Sequence, residues 1–446
     1  MPSTRRRLLS RVGLAASLSV PIGTAGCLDR LESDSAAVEL VTPEDVPDDD
    51  WTEPDWEPAV GVPGEGDVDA TTVVSNLEIP WDLTFADGDA FVTERDGGVR
   101  RFDAGDLATG ADLSPEDGDI VLEGGDLPDR AAPGEGGTLG VAVHPEYPDV
   151  AALYVYYTVD DGSVGNRVVR YDLEPESDDH EPDPRPIVEG IPGATTHNGG
   201  RIAFGPDDYL WVLTGDAEAP ALTQDPGSLA GAVLRVTPDG DSAPDNPDWG
   251  EAGDPRTYTL GHRNPQGIDF TPEGTPVIAE HGPVARDEVS LLRAGGNYGW
   301  DLVRGGPDDP EYENYDDHED ATPPVVNTGP ETTWAPSGLA FYGEERIEPW
   351  ENRLFVCGLV SETLFVVTLR SGDTTVAEGG YDQPWLDDRF TASVNRLFEG
   401  TYGRLRHAEP GPDGAVYLLT SNRDGRAGGE FPRETDDRIV RLEPPE

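Results

Sequence analysis

Short apolar runs separated by Asp, Gly and Pro turns make up most of the chain from about residue 70 onward. Apolar runs bounded by such turns predict β-strands, and strong helix signals are almost absent. Six segments can be laid side by side, each with a strand, a turn, a strand, a gap and a further strand. They begin at LTFADGDAFVTERDGG, VAVHPEYPDVAALYVYYTV, IAFGPDDYLWVLTGD, IDFTPEGTPVIAEHG, LAFYGEERIEPWENRLFVCGL and AEPGPDGAVYLLTSN.

A repeat of this kind cannot bury both faces of its sheet alone, so neighbouring repeats must stack. Radial closure of four-stranded sheets also protects their edges. We therefore predict an all-β fold, a six-bladed β-propeller over residues 70–446, with a two-domain β-sandwich as the alternative. The spacing is irregular and long insertions separate the repeats. This argues against a WD40 array and for an enzyme or ligand-binding propeller whose loops build one face.

The charge balance is extreme. The chain has 31 basic residues, all of them Arg, against 89 acidic ones, which gives a formal net charge of -58. At molar salt the Debye length falls to about 3 Å, and such a surface then keeps a protein hydrated. The composition therefore predicts adaptation to high salt. No basic patch is visible, which argues against nucleic-acid binding. Nine Trp and fourteen Tyr argue against an acidic disordered protein.

The N-terminal segment predicts export. TRRRLL resembles a twin-arginine signal, and the apolar stretch 12–22 is too short to span a membrane as a mature helix. The segment 1–27 ends in TAGC, which resembles a lipobox, so Cys27 is expected to carry the lipid; a buried Cys in a small helix is the alternative. Residues 28–69 read as an acidic, Pro-rich tether with little fixed structure. We expect a protein anchored by lipid alone on the outer face of the cytoplasmic membrane.

The stretch HNGGRIAFGPDDYLWVLTGD contains a candidate base. His197 precedes a predicted strand, and Asp216 follows the next one, so a strand out and a strand back bring both to one rim. The carboxylate can then hold one ring nitrogen of His197 and leave the other free to accept a proton. The alternative is that His197 only caps a turn.

Cationic side chains recur at similar places. GHRNPQG puts Arg263 and Asn264 before the first strand of the fourth repeat, and GRLRH puts Arg404 and Arg406 before that of the sixth. Arginines that meet over the central axis would suit a ligand with several carboxylates, because a guanidinium pairs with a carboxylate through two bonds. The alternative is that these arginines pair with acids of the protein itself.

A metal site is also suggested. Gly282 and Pro283 form a turn whose carbonyls can point outward, and Glu288 and Tyr298 follow. Hard oxygen donors suit Ca²⁺ and not Zn²⁺. No Walker A motif is present, and no GxSxG motif lies in a strand-to-helix context, so phosphate cradles and hydrolase elbows have no support.

Seven motifs together resemble one family. EIPWDL, GEGGTLGVAVHP, HNGGR, GHRNPQG, EHGP with DE and NYGW, TWAPSG, and GRLRHAEPGPDG follow one another in family order. The chain from about residue 70 to 446 thus resembles the soluble quinoprotein aldose sugar dehydrogenases, the glucose/sorbosone dehydrogenase family. This resemblance implies a six-bladed propeller that uses pyrroloquinoline quinone and Ca²⁺ to oxidise aldoses at the anomeric carbon to lactones, with an electron acceptor that the motifs do not identify.

The resemblance also implies residue roles. His197 would be the general base, oriented by Asp216. Ca²⁺ would bind the carbonyls of Gly282 and Pro283, and Glu288 and Tyr298 would match a second, structural calcium site. The residues implied at the cofactor or sugar are Arg263, Asn264, Arg404, Arg406, Glu135 and Trp334.

Two positions depart from the family pattern. Glu135 stands where a Gln is frequent, and Val360 stands where a cofactor-contacting Lys is common. Loss of a cation beside the quinone would weaken cofactor binding. The alternative function is therefore a non-catalytic carbohydrate-binding or adhesion propeller. A lactonase-type hydrolase would need Glu, Asn and Asp ligands on successive repeats, and the sequence has no such set.

Overall fold

The protein consists mainly of six four-stranded antiparallel sheets, which confirms the predicted six-bladed β-propeller. The computed structural model describes residues 40–47, 51, 53–110, 112–173, 184–371 and 380–445. Strand β1 (Asp69–Val74) precedes blade 1 in the chain. Blade 1 contains β2 (Pro80–Ala86), β3 (Asp89–Glu94), β4 (Val99–Asp103) and β5 (Asp119–Leu122). Blade 2 contains β6 (Thr138–Val143), β7 (Ala152–Asp160), β8 (Val164–Asp172) and β9 (Pro184–Pro192). Blade 3 contains β10 (Ile202–Phe204), β11 (Leu210–Leu213), β12 (Ala232–Val236) and β13 (Thr257–Leu260).

The second half of the chain forms blades 4 to 6. Blade 4 contains β14 (Pro265–Phe270), β15 (Pro276–Glu280) and β16 (Glu288–Leu291); the short parallel pair β17 (Val303–Gly305) and β18 (Glu313–Asn314) follows, and β19 (Val326–Asn327) completes the blade. Blade 5 contains β20 (Pro336–Tyr342), β21 (Arg353–Gly358), β22 (Thr363–Ser371) and β23 (Phe390–Leu397). Blade 6 contains β24 (Leu405–Pro410), β25 (Val416–Thr420) and β26 (Ile439–Glu443).

Helices are short in the part of the chain that the structure describes. The α-helix α1 (Ala104–Ala108) begins at Asp103, whose carboxylate accepts the backbone N–H groups of Gly105 and Asp106. The remaining helical turns are 3₁₀ segments at Glu65–Asp67, Pro115–Asp117, Gly124–Asp126, Pro220–Gln224, Tyr315–Asp317 and Glu348–Trp350.

Strand β1 closes the ring. It is the outermost strand of blade 6 and pairs with β26, so that Asp69 lies opposite Glu443 and Thr72 opposite Val440. Because β1 and β26 share one sheet, their pairing closes the ring of six blades.

Each interface between neighbouring blades has its own apolar core. Six clusters of buried side chains lie between blades 1 and 2, 2 and 3, 3 and 4, 4 and 5, 5 and 6, and 6 and 1. Between blades 5 and 6, for example, Trp350 and Phe355 pack with Leu405 and Val416. The strands are apolar on both faces because each sheet is covered by two neighbours. Cys357 lies in this cluster, as a small core residue.

Bulges shape the first strands. In five blades the register shifts where the first strand pairs with the second, at residues 80–82, 138–141, 265–267, 336–339 and 405–407. A bulge re-aims side chains at the end of a strand. Neighbouring first strands also approach closely: a Cβ on Gly140 would lie 2.3 Å from the carbonyl oxygen of Gly200, and one on Gly267 would lie 2.5 Å from that of Ser337. Only glycine allows this packing.

The described part of the predicted tether packs against the propeller. Leu40 is buried in a cluster with Val303 and Tyr315, and the ring of Trp56 lies edge-on to Phe341 at 5.3 Å. Contacts of this kind are seen only where the structure describes the predicted tether, at residues 40–47, 51 and 53–69. The predicted signal 1–27 and Cys27 lie outside the described residues. Across the ranges that the structure covers, no helix has the length and apolarity needed to cross a membrane.

Candidate active site

One end of the ring carries most of the predicted site residues. In each antiparallel blade the start of the first strand and the end of the second strand meet at the same rim. A cavity of about 240 Å³ opens among these positions. It is lined by Trp81, Arg95, Glu135, Gln266, His281, Ala335, Leu359, Val360, Arg404, Arg406, Asp424 and Arg426.

His197 and Asp216 form a hydrogen-bonded pair beside this cavity. The distance from His197 Nδ1 to Asp216 Oδ1 is 2.8 Å, and Asp216 Oδ2 accepts the indole N–H of Trp300 at 2.8 Å. Asp216 is buried, whereas the His197 side chain is 21 % exposed. The loops that hold the pair touch, since a Cβ on Gly215 would lie 2.0 Å from the carbonyl oxygen of His197. The glycines of HNGG and LTGD thus permit this contact.

The second ring nitrogen of His197 faces a guanidinium. Arg263 Nη2 lies 2.9 Å from His197 Nε2, and the Arg263 guanidinium lies 5.5 Å from the ring of Trp300. A guanidinium can only donate, so Nε2 is the acceptor and the ring proton sits on Nδ1, where Asp216 accepts it. This is the protonation state that a general base needs. The side chain of Asn264 holds the loop that carries His197, because its amide oxygen accepts the backbone N–H of Gly199 at 3.0 Å.

Arginines surround the cavity. Arg404 Nη2 pairs with Asp424 Oδ2 at 2.8 Å, and Arg406 Nη1 donates to Gln266 Oε1 at 3.1 Å. The buried Nε atoms of Arg406 and Arg95 have no hydrogen-bond partner among the described residues. Arg95 Nε lies 3.8 Å from the carboxylate of Asp96, so Arg406 Nε is the donor that is left to bind a ligand in the cavity. Arg406 is not in the loop before β24, as the sequence suggested, but is the second residue of that strand, at its bulge.

The electrostatics of Arg406 agree with an anion site. Burial lowers the pKa of the Arg406 guanidinium to about 9. Asp424 opposes this shift, whereas the charges of Arg404 and Arg95 add to it. A bound anion would therefore stabilise the charged form of Arg406, since an anion near a cation raises the pKa of that cation.

Glu135 contacts both the arginines of the cavity and the loop of His197. One carboxylate oxygen forms an ion pair with Arg426, and the other accepts the backbone N–H of His197 at 3.4 Å. Burial by itself raises the pKa of Glu135, but Arg426 outweighs it and the pKa is lowered. Val360, at 58 % exposure, also lines the cavity. Val360 supplies no positive charge at the position where a Lys was expected, but Arg95 and Arg426 supply positive charge to the same cavity.

The turn at Gly282 and Pro283 is tightly packed, and the carbonyl oxygen of Pro283 accepts the N–H of Ala285 at 2.6 Å. A carbonyl oxygen has a second lone pair, which is the part of this group that a cation would use. A Cβ on Gly282 would lie 2.0 Å from the carbonyl oxygen of Ala285 and 2.2 Å from that of Arg286. The turn is held by Asp287, which accepts the N–H of Gly282 at 2.8 Å. Backbone carbonyls are donors that Ca²⁺ prefers. In the described ranges no three His, Cys, Asp or Glu side chains converge on a metal, so an ion at this turn would depend on carbonyls.

The residues implied for a second calcium do not form an open site. The Glu288 carboxylate lies 2.7 Å from Arg304 Nη1 and accepts the hydroxyl of Tyr315 at 2.9 Å. The Tyr298 hydroxyl donates to the carbonyl of Leu291, and its ring stacks on His262. The cationic group beside Glu288 is Arg304.

Trp334 is not among the residues that line the cavity, although the adjacent Ala335 is. Its ring stacks on Phe365 at 4.0 Å in the core between blades 4 and 5. The aromatic side chain at the cavity is Trp81 instead, from the bulge of β2.

Sequence reasoning missed eight of the residues that line the cavity, namely Trp81, Arg95, Gln266, His281, Ala335, Leu359, Asp424 and Arg426. A signal was available for three of them. Arg95 follows β3, His281 follows β15 and Asp424 comes shortly after β25, the same place that Asp216 takes after β11. Polar residues just beyond the second strand of each repeat therefore mark the rim.

Comparison with known proteins defines the class. The model of the Glucose / Sorbosone dehydrogenase family matches residues 77–428, most of the chain. The chain belongs to this family of quinoprotein sugar dehydrogenases, and it is an oxidoreductase of that group. The predicted family is confirmed.

Individual relatives agree with this class. The chain is 28 % identical over 379 residues to the aldose sugar dehydrogenase YliI of Escherichia coli K12, covering 82 % of this chain and 93 % of that protein. It is 30 % identical over 346 residues to quinoprotein glucose dehydrogenase B of Acinetobacter calcoaceticus, covering 70 % and 68 %. The PQQ-bound aldose sugar dehydrogenase of Streptomyces coelicolor is 32 % identical, with a TM-score of 0.65 and coverage of 85 % and 99 %.

Proposed function

We propose that this protein oxidises aldose sugars at the anomeric carbon to lactones, with pyrroloquinoline quinone and Ca²⁺ as cofactors and His197 as the general base. The observation that carries the proposal is the His197–Asp216 pair, in which Nε2 of His197 is an acceptor. Glu135, which lines the arginine-rich cavity, accepts the backbone N–H of the same His197. The quinone-bound relative from Streptomyces coelicolor supports the choice of cofactor.

The cavity suits a planar ligand with several carboxylates. Arg95, Arg404 and Arg406 would hold the carboxylates of the quinone, since all three line the cavity and the buried Nε atom of Arg406 has no hydrogen-bond partner among the described residues. The carbonyls of Gly282 and Pro283 would hold the calcium ion. Bound between these residues, the quinone would supply a two-electron acceptor for the hydride of the anomeric carbon, and the calcium ion would supply a Lewis acid.

The chain's own residues would move the proton. His197 Nε2 accepts the proton of the anomeric hydroxyl once that hydroxyl takes the place of Arg263 as its hydrogen-bond donor. Asp216 holds Nδ1–H and stabilises the imidazolium that forms. One hydride and one proton leave the sugar, and a lactone results.

Cofactor titration tests the proposal. Protein freed of cofactor, in molar salt, is titrated with the quinone with and without Ca²⁺, while absorbance and the thermal midpoint are recorded. We expect binding and then reduction of an artificial electron acceptor with aldoses. His197→Ala should bind the quinone and lose turnover. Failure of the quinone to bind, together with retained sugar binding, would favour the non-catalytic carbohydrate-binding propeller instead.

We further propose that the mature chain is exported and anchored by lipid at Cys27 on the outer face of the cytoplasmic membrane. The sequence motif supports this proposal. In a halophilic host the wild-type chain should fractionate with membranes, and Cys27→Ser should appear in the medium. A membrane-bound Cys27→Ser variant would contradict it.

A further inference from the structure

Arg304 is a fully buried cation beside the site. It lies in β17, and its side chain has no exposed surface. Nη1 lies 2.9 Å from Glu280 Oε1 and 2.7 Å from Glu288 Oε2, and both carboxylates are equally buried. A buried carboxylate needs a cation close by, and here one guanidinium lies between two of them. Arg304 donates a hydrogen bond to Glu280, whereas Glu288 Oε2 is close to the guanidinium but accepts no hydrogen bond from the described residues.

The other groups around Arg304 are mainly oxygen atoms. Glu288 Oε1 accepts the Tyr315 hydroxyl at 2.9 Å and the amide N–H of Asn327 at 2.7 Å. The carbonyl oxygen of Tyr298 faces the same hydroxyl at 3.4 Å. Two carboxylates, a phenol and a carbonyl form the kind of oxygen set that binds a hard divalent cation. In this chain the centre of that set is occupied by a side chain.

Glu280 and Arg304 also bind the backbone of two loops at the rim of the cavity. Glu280 Oε2 accepts the backbone N–H of Arg263 at 2.9 Å, and Arg304 Nη2 donates to the carbonyl of His281 at 3.4 Å. The loops that carry Arg263 and His281 are thus both tied to the buried ion pairs. A cation at this position orders the wall of the active site without touching the reacting atoms.

We infer that the guanidinium of Arg304 takes the place of a divalent cation between Glu280 and Glu288, so that this position of the fold needs no calcium. Arg304 is a positioning residue for the loops of Arg263 and His281. The inference does not rest on the proposed function, because it concerns the protein before any quinone is added.

Calcium stoichiometry tests the inference. Cofactor-free protein in molar KCl, which suppresses weak binding at the acidic surface, is dialysed against Ca²⁺. We expect Arg304→Ala to bind one Ca²⁺ per chain more than the wild type, and Ca²⁺ to raise its thermal midpoint by several degrees more than Mg²⁺ does. Arg304→Ala combined with Glu288→Gln should lose the added ion.

The matched control is Arg353→Ala. Arg353 is also buried, but it donates to Thr368 and to the carbonyls of Pro349, Ala59 and Gly61, and it forms no ion pair with a carboxylate of the described residues. This variant should lose stability and gain no calcium. An equal gain in both variants, or none in Arg304→Ala, would overturn the inference.

A second measurement covers the case in which Arg304→Ala does not fold. Wild type and Glu288→Gln are then compared, since glutamine can keep the contacts of Glu288 to Tyr315 and Asn327. Equal calcium per chain supports the inference. Loss of one ion in Glu288→Gln would mean that calcium binds beside Arg304, and the inference fails.

Discussion

The Nδ1 atom of His197 lies 2.8 Å from Oδ1 of Asp216, although nineteen residues separate them in the chain. Strands β10 and β11 run out and back between them, so a local hairpin creates the contact. Asp216 is also held by Trp300 and by the backbone N–H of Glu218. The Asp216 carboxylate thus accepts three hydrogen bonds, which fix its orientation toward the His197 ring.

The first prediction concerns Asp216→Asn. Every orientation of the amide places an N–H group against a donor, either Trp300 on one side or Glu218 on the other. The negative charge that stabilises a protonated His197 is also lost. We expect kcat with aldoses to fall by roughly 100-fold to 10,000-fold, while quinone affinity stays near that of the wild type. Steady-state kinetics at saturating quinone provide the check.

The control for this substitution is Asp245→Asn, which removes a carboxylate paired with Arg235 away from the cavity. It should leave kcat unchanged. A similar loss in both variants would show that the effect of Asp216→Asn is not specific to the base.

The second prediction concerns Arg406→Ala. Removal of this buried guanidinium takes away a charge-assisted contact to an anionic cofactor, which is typically about 1.5–3 kcal/mol. Quinone affinity should fall by roughly 10-fold to 100-fold, measured by titration of the absorbance. Arg101→Ala, which removes an arginine paired with Asp89 and Asp119, is the control and should bind normally. If Arg406→Ala binds the quinone as tightly as the wild type, the quinone does not bind in this cavity.

The third prediction concerns pH. Burial lowers the pKa of His281 to about 4, against the opposing charges of Asp287 and Glu135. An unfolded histidine titrates near 6.5, so the stabilising contribution of neutral His281 is complete above about pH 6.5 and is lost as the pH falls toward 4. Over this interval the wild type should lose roughly 1–3 kcal/mol more unfolding free energy than His281→Gln. Urea unfolding at several pH values measures the difference; parallel curves would contradict it.

The fourth prediction concerns salt. With a net charge of -58, self-repulsion opposes folding until salt screens it. We expect the thermal midpoint to rise steeply between about 0.1 and 2 M KCl. Sucrose at equal osmolality controls for solute exclusion. A midpoint that rises equally in sucrose, or falls in KCl, would contradict adaptation to high salt.

The sequence predicted the six repeats and the His197–Asp216 pair well, because both depend on local order. Alternating strands and turns determine each blade, and a hairpin brings the two residues to one rim. The role of Trp334 was less accessible. Its ring lies in an interblade core, and an isolated tryptophan in a loop motif does not reveal which neighbour it packs against.

By itself the sequence determined the fold class, the acidic surface and the positions of the rim residues along each repeat. Only the tertiary structure decided which rim residues meet. Arg95 of blade 1 and Arg426 of blade 6 reach one cavity because β1 closes the ring. Arg304 lies between Glu280 and Glu288 because buried charges pair through space, across loops whose course depends on the packing of the whole propeller.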